Sequence, residues 1–127
     1  MKTAEDIESY LIQMEAQYES VGEEMWVVKD IGPDLVLSMG GPVLVFRIKV
    51  TDLDKIPQKR KEKLYRTLLE LNVGEMLHGA YGIEGDSIIV TAALQLENLD
   101  FNEFQAVMDD IGMAVTNHYD MLSTLAA

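Results

Sequence analysis

Residues 79–104, GAYGIEGDSIIVTAALQLENLDFNEF, decide the fold of this chain. Gly79–Ile83 and Ser87–Leu96 are rich in β-prone residues, and Glu84-Gly85-Asp86 joins them, which predicts an antiparallel hairpin. Apolar residues alternate along the second run, so one of its faces is expected to pack against helices. The apolar residues on that face are Ile88, Val90, Ala92, Leu94 and Leu96.

A helix is predicted directly after this hairpin. Asp100 is in position to be the N-cap and Glu103 to be its N3 partner, while Leu99 and Phe104 occupy the two positions of a hydrophobic staple. Apolar residues then repeat at spacings of three and four, which predicts one narrow packing stripe along the helix. The stripe contains Phe101, Phe104, Met108, Ile111, Val115, His118, Leu122 and Leu125.

The first helix is predicted from a similar spacing near the start of the chain. Thr3 can cap it with Asp6, and the apolar spacing continues for about five turns until Gly22. The apolar positions that support this prediction are Ile7, Tyr10, Leu11, Met14, Tyr18 and Val21.

The middle of the chain predicts three strands followed by a helix. Close turns separate Met25–Lys29, Leu35–Met39 and Val43–Val50, which indicates an antiparallel meander. Pro57 suits the first turn of a helix that runs to about Asn72. The predicted order is therefore α-β-β-β-α-β-β-α: an α+β fold with an antiparallel sheet and helices packed on one face. Residues 1–127 are expected to form a single domain.

The charge distribution restricts the classes of partner. The net charge is −12, and the segment 67–127 has ten acidic residues and no Lys or Arg. Such a charge disfavours nucleic acid and anionic membranes. The absence of cysteine excludes disulfides and thiolate sites and suits a reducing compartment. No stretch predicts a signal peptide or a membrane span, so a cytoplasmic location is expected.

Half of the ten cations are concentrated at the start of the predicted middle helix. They can form a solvated helix face, or they can complement an acidic surface, including the acidic half of a second copy. Nucleic acid is the least favoured partner, because no aromatic residues alternate with the cations for base stacking. This basic cluster consists of Lys59, Arg60, Lys61, Lys63 and Arg66.

Catalytic and metal-binding patterns are sparse. The two histidines, His78 and His118, are forty residues apart, and no close ligand pair accompanies either of them. Neither a metal nor a cofactor is therefore predicted. His118 lies on the apolar stripe, which favours a packed helix residue, although a small ligand-binding domain or an enzyme using His118, Tyr119 and acidic residues stays open as an alternative. Met113 and Met121 fall off the stripe and are candidates for a second contact.

Several local sequences resemble one family. Leu68-Leu69-Glu70-Leu71-Asn72 resembles the end of the middle helix of the type III secretion (Tir) chaperones and of the related YbjN-type sensory transduction regulators. Gly79–Ile83 and Ser87–Leu94 resemble the hairpin that follows, and Leu99-Asp100 with Phe104 resembles the start of the last helix. The resemblance implies a small, acidic, cytosolic, non-enzymatic protein that is commonly a homodimer. In the secretion chaperones, apolar surfaces of the dimer hold an extended client segment.

This resemblance implies a function for the sheet face that the helices leave uncovered. The protein is expected to be a protein-binding module, chaperone-like or regulatory, that acts as a homodimer on another protein. Binding of an extended client uses strand addition and side-chain pockets. The face is predicted to serve either a partner or a second copy through Met25, Val27, Val43, Val45, Ile89 and Ala93.

Overall fold

Three helices and six strands form the molecule, which a computed structural model describes from Met1 to Ala127. The helices are α1 (Ala4–Gln13), α2 (Gln58–Gly74) and α3 (Phe101–Ala126), and a single 3₁₀ turn at Leu53–Lys55 precedes α2. The strands are β1 (Tyr18–Gly22), β2 (Met25–Val28), β3 (Leu35–Gly40), β4 (Val43–Asp52), β5 (Ala80–Glu84) and β6 (Ser87–Gln95).

All six strands belong to one antiparallel sheet. Their spatial order is β1-β2-β3-β4-β6-β5, so β1 and β5 are the two edge strands. The side chains of one sheet face join the helices in a continuous hydrophobic core. The predicted fold class is therefore confirmed: an α+β fold with an antiparallel sheet and helices on one face.

The first helix is shorter than predicted, and a strand follows it. The helix ends at Gln13, with Met14 as its C-cap, and Glu15 then adopts a left-handed conformation with a φ of 59°. The amide of Ala16 donates to the carbonyl of Leu11 across this turn. A left-handed residue closes a helix and redirects the chain. Residues 18–22, predicted as helix, form β1 and pair with β2 instead.

Side-chain caps fix the starts of the first and last helices. Thr3 and Asp6 form a complete capping box at α1. At α3 the amide of Glu103 donates to Oδ1 of Asp100 over 2.8 Å. These contacts satisfy amides that would otherwise lack partners in the first helical turn. Both predicted helix starts are confirmed.

Aromatic rings join α1, α3 and the middle of the sheet. The ring of Phe104 lies 5.5 Å from that of Tyr10 and 5.8 Å from that of Phe46, and the side chains of Phe104 and Phe46 are fully buried. The hydroxyl of Tyr10 donates to the carbonyl of Leu99 over 2.7 Å. This cluster fixes the first turn of α3 against the helix-bearing face and leaves the opposite face of the sheet uncovered.

Candidate protein-binding surface

The sheet face turned away from the helices, called the outer face below, carries the six residues predicted for a partner or dimer contact. Cross-strand pairing places Met25, Ser38, Val45 and Ala93 in one row across β2, β3, β4 and β6. Residues directly opposite each other in a sheet share a face. The other members follow from the two-residue period of their strands. They are Val27 on β2, Val43 on β4 and Ile89 on β6.

These residues differ in how much surface they offer. Val27, Val43 and Val45 are half-buried and lie outside the core cluster. Ile89 is only 6% exposed, so it contributes little contact area despite its predicted role. Sequence reasoning missed Val36, a half-buried residue that pairs with Val27 and extends the apolar surface on β3.

An ion pair interrupts the apolar part of the outer face. Arg47 Nη2 lies 3.1 Å from Glu84 Oε2, and Arg47 stands opposite Val36 in the sheet. The β2 and β3 part of the face is therefore mainly apolar and the β5 side is polar, while on β1 Glu19 stands opposite Val27. The apolar side leads directly to the edge strand β1.

The two sheet edges are not equivalent. At β5, the amide of Tyr81 donates to Oδ1 of Asn72 over 2.7 Å, and Nδ2 of Asn72 donates back to the carbonyl of Tyr81 over 3.0 Å. The side chain of Asn72 thus occupies the main-chain groups of Tyr81, which a further strand at β5 would use. No backbone hydrogen bond reaches β1 from its outer side. An unpaired edge is a template for strand addition.

A second apolar surface lies on the helices. Val73 is 91% exposed and Leu77 83% exposed, and sequence reasoning singled out neither of them. Leu69 on α2 is exposed as well. Met113 and Met121, the candidates for a second contact, are exposed on α3. Leu69 and Val73 line one groove, while Leu77, Met113 and Met121 line another, and we call these five residues together the helix surface.

A polar network lies beside the helix surface. His118 is 5% exposed, and its Nδ1 is 2.7 Å from the hydroxyl of Tyr81 while its Nε2 is 2.6 Å from Oε2 of Glu75. The network joins α3 to β5 and to the end of α2, as the packed-residue prediction for His118 requires. Tyr119 is not part of it and lines a different groove with Val50.

We expect Tyr81→Phe to reduce the loss of stability at alkaline pH. Burial first, and the charge of Glu75 second, raise the pKa of Tyr81 from 10.0 to about 12. The folded pKa exceeds the unfolded value, so this stability is complete below pH 10 and is lost as the pH rises toward 12. The full effect is about 3 kcal/mol. Urea unfolding from neutral pH to about pH 11 measures about the first half of this loss.

The exposed Tyr119 provides the matched control for this titration. Tyr119→Phe should keep the alkaline loss of the unmodified protein, whereas Tyr81→Phe should show a shallower decline. Because Tyr81→Phe also removes a hydrogen bond to His118, the slope against pH is compared and not the stability at one pH. Equal slopes in all three proteins would contradict the assignment to Tyr81.

The basic cluster is on the exposed side of the first turns of α2. Arg66 pairs with Glu70, with 3.7 Å between Nε and Oε1. The other four members, Lys59, Arg60, Lys61 and Lys63, have no carboxylate within 4.0 Å.

None of the three helices combines the length and the apolar composition that crossing a bilayer requires.

Solved structures with the same fold include proteins of type III secretion. A chain of the heterodimeric ExoU–SpcU complex from Pseudomonas aeruginosa superposes with a TM-score of 0.70 at 14% identity, covering 94% of this chain and 97% of that one. A chain of the complex between the Yersinia pestis type III secretion chaperone SycH and a fragment of YscM2 gives 0.61 at 15% identity, covering 89% and 97%. At these identities the similarity establishes the fold.

YbjN from E. coli has the same architecture. Its TM-score is 0.68 at 10% identity, and the alignment covers 94% of this chain and 93% of YbjN. No curated protein matches the chain in sequence. The CesT_Tir_1 family model matches residues 1–127, the whole chain. The chain therefore belongs to the CesT_Tir_1 family of type III secretion chaperones, the family that its hairpin and its helix ends resemble.

Proposed function

We propose that this protein is a cytoplasmic, non-enzymatic chaperone that binds an extended segment of another protein along β1 and the outer face. One observation carries the proposal: the apolar residues of β2 lie next to the edge strand β1, whose outer main-chain groups, unlike those of Tyr81 on β5, have no side chain bonded to them. A strand added at β1 would gain main-chain hydrogen bonds, and alternate side chains would reach the outer face. Membership of a secretion chaperone family supports a protein partner.

The segment would contact the outer face in a defined order. Met25 and Val27 on β2 lie next to β1, and Val45 lies two strands further in. Every second side chain of an added strand points to this face, so it first meets Glu19 of β1, which stands opposite Val27, and its longer side chains reach Met25 and Val27 beyond β1. Val43 and Ala93 extend the same surface, while Ile89 is too deeply buried to add much.

The helix surface is proposed as the contact between two copies in a homodimer. A two-fold interface requires a patch that complements itself. Glu62, Arg66 and Glu70 line the same groove of α2 as Leu69 and Val73. In an antiparallel pair of α2 helices, the arginine of one copy would face a glutamate of the other while the apolar residues pack between them. This arrangement leaves β1 and the outer face of both copies free.

The alternative of a ligand-binding domain or an enzyme at His118 has less support. Both ring nitrogens of His118 are already engaged, by Tyr81 and by Glu75. A general base needs a free nitrogen within hydrogen-bond reach of its substrate. Tyr119, the second residue of that alternative, lies outside the network. A structural role that joins α3 to β5 and α2 accounts for these contacts.

Capture from a native lysate with an outer-face variant tests the proposal. Val27→Lys with Val45→Lys places two charges where the partner would bind, and Ser9→Lys with Gln13→Lys adds the same charges on exposed positions of α1. The unmodified protein and the α1 variant should retain the same partner. The outer-face variant should bind it about a hundredfold more weakly, because buried charges without partners oppose association.

Circular dichroism shows whether each variant is folded before capture. If the folded outer-face variant retains the partner as well as the α1 variant does, the binding site lies elsewhere. If no partner is captured by both the unmodified protein and the α1 variant, the proposed function is wrong.

A further inference from the structure

The four unpaired cations of the basic cluster are unusual in a chain with 22 acidic and 10 basic residues. Elsewhere, Lys29, Arg47, Lys49 and Lys55 each lie within 4.0 Å of a carboxylate. Lys2 is the one cation outside α2 that does not. Acidic residues are therefore plentiful, yet none of them, Glu62 of α2 included, lies within 4.0 Å of these four cations.

The position of these cations makes the lack of partners costly. The first turn of α2 contains no acidic residue, and its N-cap, Pro57, offers no side-chain hydrogen bond. Cations at a helix N-terminus oppose the helix dipole. They also repel one another across one turn. An anion at this point would relieve both effects.

Three of the cations line a groove together with the end of α3. Lys59, Arg60 and Lys63 form one side, and Thr124 and Leu125 form the other. The carbonyl end of α3 carries about half an elementary negative charge. That partial charge offsets only a small part of three full positive charges. The groove therefore keeps a positive potential on a molecule whose net charge is −12.

We propose that this groove binds an acidic segment of the partner protein. The inference rests on the proposed function, because it specifies the chemistry of the same partner. A short run of Asp or Glu can place carboxylates against the three cations. It brings no additional negative charge near the acidic remainder of the molecule. Nucleic acid and anionic membranes carry charge over a larger area, and residues 67–127 with ten acids and no cation repel them.

A labelled oligoglutamate peptide tests this inference by fluorescence anisotropy, with an oligoglutamine peptide of equal length as the uncharged probe. We expect saturable binding of oligoglutamate that weakens about tenfold or more between low and physiological salt. The variant Lys59→Gln, Arg60→Gln, Lys63→Gln should lose it. A control with Lys2→Gln, Lys29→Gln and Lys55→Gln removes the same charge elsewhere and should keep it.

Each other outcome counts against the groove. Equal loss in both triple variants would mean a response to net charge alone. Tighter binding of duplex RNA or anionic vesicles than of oligoglutamate would assign the groove to another partner class. Oligomer dissociation in the groove variant alone would assign it to a second copy. Because Val27→Lys with Val45→Lys should not affect oligoglutamate, failure of the groove and failure of the outer face are distinguishable.

Discussion

Phe104→Ala is expected to lower the free energy of unfolding by about 3–5 kcal/mol. The Phe104 side chain is fully buried, and its ring packs against Tyr10 of α1 and Phe46 of β4. Removing it leaves a cavity where α1, α3 and the sheet meet. A loss of this size is a large part of the 5–15 kcal/mol typical of a domain. Urea unfolding followed by circular dichroism measures it.

Phe101→Ala is the matched control for the aromatic cluster. The Phe101 ring is 5.8 Å from that of Tyr10, but its side chain is only half-buried. Less area returns to water and no enclosed cavity forms, so the expected loss is about 1–2 kcal/mol. Equal losses in the two variants would show that Phe104 does not hold α3 on the sheet.

Leu69→Glu with Val73→Glu is expected to convert a homodimer into a monomer. Across a two-fold axis the two substitutions bring four carboxylates into one interface, and unpaired buried charges cost several kcal/mol. The dissociation constant of the dimer should rise about a hundredfold or more. Light scattering at micromolar concentration should give twice the 14.2 kDa chain mass for the unmodified protein and one chain mass for the variant.

Ser9→Glu with Gln13→Glu adds the same two charges on α1 and should leave the dimer intact. A variant at Leu69 and Val73 that still has twice the chain mass would place the dimer contact elsewhere. An unmodified protein with one chain mass would remove the homodimer from the proposal.

Helix caps and strand alternation predicted the fold class well, because each depends on residues that are close together in the sequence. The capping residues Thr3 and Asp100 act directly on the helix starts that follow them. The alternation in Ser87–Leu96 predicts which face meets the helices, and Ile88 and Val90 are buried on that face, although Ile89 between them is buried as well. The fold class followed from these elements.

The α1–β1 region was predicted wrongly because its helical spacing continues past the helix end. Tyr18 and Val21 continue the spacing of Ile7 and Leu11, although they lie on a strand. The helix ends at Gln13, and the chain turns at Glu15, a residue type that seldom takes a left-handed conformation. Glycine or asparagine would have given a visible stop signal. Pairing with β2, a tertiary contact, decides the outcome.

The candidate site was predicted in part. Strand periodicity assigned Met25, Val27, Val43, Val45 and Ala93 to one face, and the sheet register places them there. Whether that face binds a partner stays a prediction. The unpaired edge at β1 could not be predicted, because residues 18–22 were predicted to be helical. The hydrogen bonds that occupy Tyr81 on β5 come from Asn72, nine residues earlier in the chain, and no local pattern indicates them.

Hydrogen exchange with the captured partner tests the central claim most directly. Amides of β1 with no partner in the free protein should exchange more slowly in the complex, because an added strand gives them acceptors. Amides of α1, on the opposite face, serve as the internal reference. We predict new protection along Tyr18–Gly22. Protection confined to the helix surface, with β1 unchanged, would contradict strand addition at this edge.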